Sequence, residues 1–132
     1  MSRALLIVDH GSRVAAANDS VGAVAALVAE QSDYPVVIGA HMELAAPSIA
    51  DAVADAVQRG ASHLTVVPFM LAPGRHATQD IPRLVAEAVA EHPGVSFRVA
   101  APLGVHDLLA QLVIARAHEA ERAPLDASTE PV

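Results

Sequence analysis

The chain has no cysteine, no lysine and no tryptophan among its 132 residues. Without thiols it can form no disulfide, iron–sulfur cluster or thiolate metal site. Any metal must therefore be held by His, carboxylate or water, donors that suit first-row divalent ions. Without lysine there is no Schiff-base chemistry and no phosphate-loop lysine. Aromatics make up only 2% of a chain that is 53% hydrophobic, so Ala, Val and Leu must build the core. No apolar run approaches the roughly 18 residues of a membrane span, and the N-terminus enters an apolar strand where a signal sequence would lie. The expectation is a cytoplasmic protein with no membrane partner. The net charge is −7 and every basic residue is Arg, a poor basis for general nucleic-acid binding.

What is present is an alternation of short apolar runs with longer amphipathic ones. Residues 4–8, 36–40, 64–68 and 97–101 read as buried parallel strands, being short and rich in Val, Leu and Ile. Helical patterns lie between and after them. Residues 14–31 place Val21, Val24, Leu27 and Val28 on one face. Residues 48–59 do the same with Ile49, Val53, Ala56 and Val57, with Pro47-Ser48 to start the helix and Gly60 to end it. Residues 79–91 carry Ile81, Leu84, Val85, Ala88 and Val89, with Asp80 as the expected cap. Residues 106–118 carry Leu109, Leu112 and Val113. Four β-α units predict an α/β three-layer sandwich: a four-stranded parallel sheet in flavodoxin-like order 2-1-3-4, with helices on both faces. One domain over 1–118 is expected, followed by a frayed tail over 119–132 that has no periodicity.

Seven histidines are many for this length, and their positions sort them. His10, His41, His76 and His106 follow strand ends, the edge at which open α/β sheets bind ligands. His63 precedes the third strand and belongs on the opposite edge. His92 sits near a helix C-terminus, and His118 lies near the tail. At His10-Gly11-Ser12-Arg13, a strand-to-helix turn accounts for Gly11 and for Ser12 as a helix cap. It does not account for a histidine at the last strand position. His76 sits in the segment 69–78, a loop too apolar for simple solvation and suited to a flat, greasy ligand. His41 and His106 read as supporting or surface residues. Glu43 is the nearest carboxylate on the neighbouring strand end. Two imidazoles with a carboxylate in reach form an open site that can hold a divalent ion without enclosing it. The spacing alone fits a hydrolytic metal site equally well.

Four segments taken together resemble the small class II tetrapyrrole chelatases, the sirohydrochlorin cobalto- and ferrochelatases. They are Val8-Asp9-His10-Gly11-Ser12-Arg13, the run from His41 to Ile49, the run from Val67 to His76 with Gln79-Asp80-Ile81-Pro82, and Ala101-Pro102-Leu103-Gly104-Val105-His106. The resemblance covers residues 4 to about 116 and is nearest to the siroheme ferrochelatase type. It implies the chelatase-like α/β fold and insertion of a divalent metal, Fe²⁺ first, into sirohydrochlorin. By that resemblance His10 is metal ligand and proton acceptor, His76 the second metal ligand, and Glu43 an acidic catalytic residue beside the substrate. Leu71, Ala72, Pro73, Gly74 and Arg75 line the tetrapyrrole, and Arg13 and Arg75 are placed to bind its carboxylates. The metal is a substrate, with no permanently bound cofactor, and a homodimer is implied because long members of the family fuse two copies. Plant-type members carry a cysteine-rich cluster-binding segment; a chain without cysteine implies no cluster. Ala46, where an acid is common, is a departure.

Three rival readings stand beside this one. Cobalt or nickel insertion, as in cobalamin-type synthesis, keeps the class and changes the ion. A non-catalytic tetrapyrrole or metal carrier would bind without turnover. A phosphohistidine phosphatase also places His-Gly after its first strand but needs Arg before the His, where Asp9 would repel phosphate.

Overall fold

A computed structural model describes residues 2–125, with the side chains of His76 and Ala77 outside the described set. The elements run β1 (Ser2–Asp9), α1 (Ala15–Gln31), β2 (Val36–His41), α2 (Ile49–Gln58), β3 (Ala61–Pro68), a π-helical turn (His76–Asp80), α3 (Ile81–Val89), β4 (Ser96–Val99) and α4 (Asp107–Arg122). All strand pairs are parallel and the order is β2-β1-β3-β4, as the alternating pattern predicts.

β1 is apolar throughout because it is central and covered on both sides. Its side chains alternate between the faces, as strand geometry requires. Ala4, Leu6 and Val8 face a core shared with Ile49, Val53, Leu64, Val66, Ile81 and Val85. Leu5 and Ile7 face a smaller core with Val21 and Ala25 of α1. α2 and α3 therefore lie on one face and α1 on the other. β4 is the exposed edge: it is short and carries Ser96 and Arg98, which discourage pairing with a foreign strand.

The helix boundaries follow local chemistry. Ser48 caps α2 through a reciprocal box, its Oγ accepting from the Asp51 amide at 3.1 Å while an Asp51 carboxylate oxygen accepts from the Ser48 amide at 3.2 Å. Gly60, at φ +97°, turns the chain after α2 as expected.

Two expected caps do not form. Asp80 is itself helical and makes no side-chain cap bond, because the π-helical turn already winds the chain into α3. Ser12 lies upstream of the cap position, which Val14 occupies without a side-chain bond. Instead the Ser12 hydroxyl accepts from the Val14 amide, and the Asn18 amide group grips the Ser12 backbone on both sides. His63 lies inside β3, near its start, instead of ahead of it.

Two expectations of burial also fail. Leu27 of α1 is exposed, and Val21 and Ala25 carry the contact instead. α4 runs past residue 118 to Arg122 yet buries no residue, although Leu108, Leu112, Val113 and Ile114 are all apolar and exposed. Residues 126–132 of the expected tail lie outside the described residues.

Leu6 is fully buried between β2, β3 and the α2–α3 layer. Leu6→Ala leaves a cavity that neighbouring strands cannot close, so a loss of about 2–5 kcal/mol is expected in urea unfolding. A change below ~1 kcal/mol would mean that the two-sided core is not packed as described.

Candidate active site at the carboxyl edge of the sheet

The four strand ends are joined by main-chain hydrogen bonds that continue beyond the regular ladder. The Met42 amide donates to the Asp9 carbonyl at 2.9 Å and the Glu43 amide to the His10 carbonyl at 3.1 Å. The Phe69 amide donates to the Val8 carbonyl, and the Leu103 amide to the Met70 carbonyl at 2.9 Å. His10 and Glu43 thus leave neighbouring strands just beyond the paired residues Asp9 and His41. Both are exposed at the edge. The loop 69–75 is attached to β1 on one side and to the loop after β4 on the other.

Two glycines permit this closeness. Gly11 adopts φ +90°, and a Cβ there would lie 1.8 Å from the Glu43 carbonyl oxygen. A Cβ on Gly104 would lie 1.3 Å from the Leu71 carbonyl oxygen. These loops can meet only where a side chain is missing. On the β2 loop, Leu44 holds φ +68°, a left-handed conformation that a branched side chain adopts at a cost of about 1–2 kcal/mol.

Beneath the edge lies a contact that settles His41 as a supporting residue. His41 is 3% exposed, the one buried polar residue among the described residues. Its Nδ1 lies 2.6 Å from Asp9 Oδ1. A carboxylate offers only lone pairs, so Nδ1 carries the hydrogen and donates. The His41 amide donates to the Pro47 carbonyl at 2.9 Å, fixing the returning end of the same loop. His41 is therefore neither a surface residue nor a ligand at the edge; it ties β2 to the residue immediately before His10. The signal was available, since strand order 2-1-3-4 puts Asp9 and His41 in register at adjacent strand ends. His106, the other histidine set aside, caps α4 by accepting from the Leu108 amide with Nδ1. Its role is structural.

The remaining candidates fall around the same edge. Leu71, Ala72, Pro73, Gly74 and Arg75 are all exposed on the loop after β3. His76 begins the π-helical turn that follows, a rare geometry that often marks functional sites; its side chain lies outside the described residues. The Gly74 carbonyl accepts from both the amide and hydroxyl of Thr78, which anchors the turn. Arg3, Arg59, Arg83 and Arg116 are engaged with carboxylates. Arg13 and Arg75 form no ion pair among the described residues, so their guanidinium groups remain available at the site. No group of three or more His, Cys, Asp or Glu able to hold a metal occurs among the described residues.

The CbiX family profile matches residues 4–120. The chain belongs to the CbiX family. A sirohydrochlorin ferrochelatase of Arabidopsis thaliana, chloroplastic by name, is 48% identical over 109 residues, which is 83% of this chain and 48% of that protein. A CbiX protein of Marinobacter aquaeolei, described as putatively of cobalamin biosynthesis, superposes with TM-score 0.76 at 33% identity, covering 92% of this chain and 99% of that one. The sirohydrochlorin chelatase SirB of Bacillus subtilis, solved in complex with cobalt, superposes with TM-score 0.82 at 31% identity, covering 90% of this chain and 51% of that one. The chain thus spans about half the length of the Arabidopsis and Bacillus proteins. The four segments that carried the resemblance all fall within the matched residues. The α/β sandwich is that of CbiX and SirB.

His41→Leu removes the donor to Asp9 and leaves a half-buried carboxylate without its partner. The expected cost is about 1–3 kcal/mol in denaturant unfolding, relieved in part by Asp9→Asn in the same chain. If the two changes prove strictly additive, the contact is not the tie described.

Proposed function

We propose that this chain is a sirohydrochlorin chelatase that inserts a divalent metal, Fe²⁺ first, into the macrocycle, acting in the cytoplasm as an assembly of two copies. The observation that carries this reading is the main-chain bond from Glu43 to His10. It joins the backbones of a histidine and a glutamate that are both exposed at the open edge, next to an apolar loop. Family membership and the ferrochelatase name of the Arabidopsis relative favour iron and this substrate. No helix among the described residues is long and apolar enough to cross a membrane.

Insertion must exchange one M²⁺ for two pyrrole N–H protons. His10 and His76 hold the incoming ion from neighbouring strand ends. A ring nitrogen cannot bind a metal and a proton at once. As the ion passes to the macrocycle, the lone pair on His10 is released at the moment a proton needs an acceptor. Glu43 is the second acceptor and hands its proton to water, since it is exposed. Leu71 to Gly74 lie against the apolar face of the ring. Arg13 and Arg75 take peripheral carboxylates, where a planar guanidinium binds bidentately and holds orientation. An acidic protein can bind a polycarboxylate in this way because two guanidinium groups lie at the edge itself.

A second reading keeps the residues and changes the ion to Co²⁺, favoured by the cobalt bound to SirB. Imidazole and carboxylate accept iron, cobalt and nickel in an order of affinity without selecting among them.

The test is an anaerobic absorbance assay with sirohydrochlorin and Fe²⁺, Co²⁺ or Ni²⁺, each compared with the uncatalysed rate. Acceleration with at least one metal is expected. His10→Ala and His76→Ala should each lose ~100-fold or more while remaining folded. Binding of sirohydrochlorin with no acceleration by any metal would replace the enzyme by a carrier. Arg75→Ala should raise the apparent KM about tenfold or more with a smaller effect on kcat, as expected on losing a charge-assisted contact made in both ground and transition states. An unchanged KM would remove Arg75 from the substrate site.

A further inference from the structure

We propose that Leu44 is a substrate-positioning residue. Its exposed side chain, on the loop after β2, contacts the apolar face of the macrocycle on the other side of His10 from Leu71. The inference rests on the chelatase reading above and adds to it a contact on the β2 side of the site.

The first observation is a strained backbone that serves no packing. Leu44, at φ +68°, is the one residue other than glycine with a positive φ among the described residues. In this region Cβ crowds the backbone, and Gly, then Asn and Asp, are the residues that adopt it readily. The loop itself imposes the conformation. One end is tied where the Glu43 amide donates to the His10 carbonyl. The other is tied where the His41 amide donates to the Pro47 carbonyl and Ser48 bridges to His41. The chain must turn back on itself between those points. On the neighbouring loop the same demand is met by a glycine, Gly11. Here it is met by a leucine that gains no burial: Leu44 is 56% exposed and belongs to neither core cluster. Strain held at an exposed apolar residue, directly after the proposed catalytic carboxylate, points to a contact outside the fold itself.

The second observation is where that residue stands. Among the described residues, each of the four loops beyond the strand ends has one exposed large apolar side chain: Val14, Leu44, Leu71 and Val105. Two of these are equivalent by position. Leu44 and Leu71 are each the third residue after their strand, β2 ending at His41 and β3 at Pro68. β2 and β3 are the two neighbours of β1, which ends beside His10. Neighbouring strands lie ~4.8 Å apart, so β2 and β3 stand roughly 10 Å apart with β1 between them. That spacing is of the order of the width of a tetrapyrrole ring. A ring seated with its nitrogens over His10 therefore meets a leucine-bearing loop on each flank. The occupant follows from this continuity. Leu44 follows Glu43, whose amide is bonded to His10, so a flat ligand held over His10 and Leu71 extends across Leu44.

An apolar contact of this kind is made equally by the bound substrate and by the transition state. It lowers KM and leaves kcat unchanged.

Leu44→Asn and Leu44→Met test the inference together. Asn tolerates the left-handed conformation and removes the apolar surface. Met keeps that surface in a side chain of similar volume. Metal-free sirohydrochlorin is titrated against each full chain by absorbance, with urea unfolding and chelation kinetics measured alongside. Leu44→Asn is expected to weaken binding about tenfold, the effect of no longer burying a leucine. Its KM should rise by the same factor with kcat nearly unchanged. Its urea midpoint should equal or exceed that of the natural chain, because the strain is relieved. Leu44→Met should restore binding to within a few-fold of the natural chain. Unchanged affinity in Leu44→Asn would remove Leu44 from the substrate site. A lowered urea midpoint would make it a packing residue of the loop, and a loss confined to kcat would show it acting through Glu43. Each of these results would overturn the inference and leave the chelatase reading intact. A natural chain that binds no sirohydrochlorin would overturn both, and the first titration shows it.

Discussion

Every loop at the carboxyl edge of the sheet is bonded through its main chain to the loop beside it, and the site depends on that continuity. A parallel sheet delivers all its strand ends to one side, but it does not by itself hold the residues that follow them. Here the bonds from Met42 to Asp9, Glu43 to His10, Phe69 to Val8 and Leu103 to Met70 carry the sheet's order outward. Gly11 and Gly104 let the backbones approach, and the buried His41–Asp9 contact fastens the first two strand ends from below. A histidine at the end of a rigid central strand is held to within the scatter of the strand itself. Such support by rigid elements is what a site needs if two donors on separate segments are to act on one ion.

The His41–Asp9 pair also fixes the carboxylate that precedes His10. Its Oδ1 accepts a buried imidazole hydrogen, so the side chain is directed toward β2. The same sequence neighbour that argued against a phosphate site thus has a structural duty of its own. Four arginines are engaged by carboxylates elsewhere, whereas Arg13 and Arg75 at the edge form no ion pair among the described residues.

The strands, their order and the edge carrying His10, Glu43 and the 69–75 loop were legible because continuous apolar runs mark buried parallel strands and strand ends mark the ligand edge. The expected caps Ser12 and Asp80 were not, for a local reason. Asn18 captures the Ser12 backbone, and a π-helical turn precedes α3; neither has a signature that propensity reveals. His41 was left between a supporting and a surface role because its partner lies 32 positions away in sequence, and only strand register brings the two together. The periodicity of α4 correctly announced an amphipathic helix. Periodicity states that a face must be buried and says nothing about which molecule buries it.

That last distinction bears on how the site could be closed. The loop that carries Leu103 and Gly104 serves two ends at once: it braces the 69–75 loop through Met70 and Leu71, and it launches α4 through His106. A force on α4 is therefore transmitted by two rigid contacts to the segment proposed to line the macrocycle. A backbone carbonyl pressed against a glycine has little freedom to yield, so the start of α4 and the loop after β3 hold one position together.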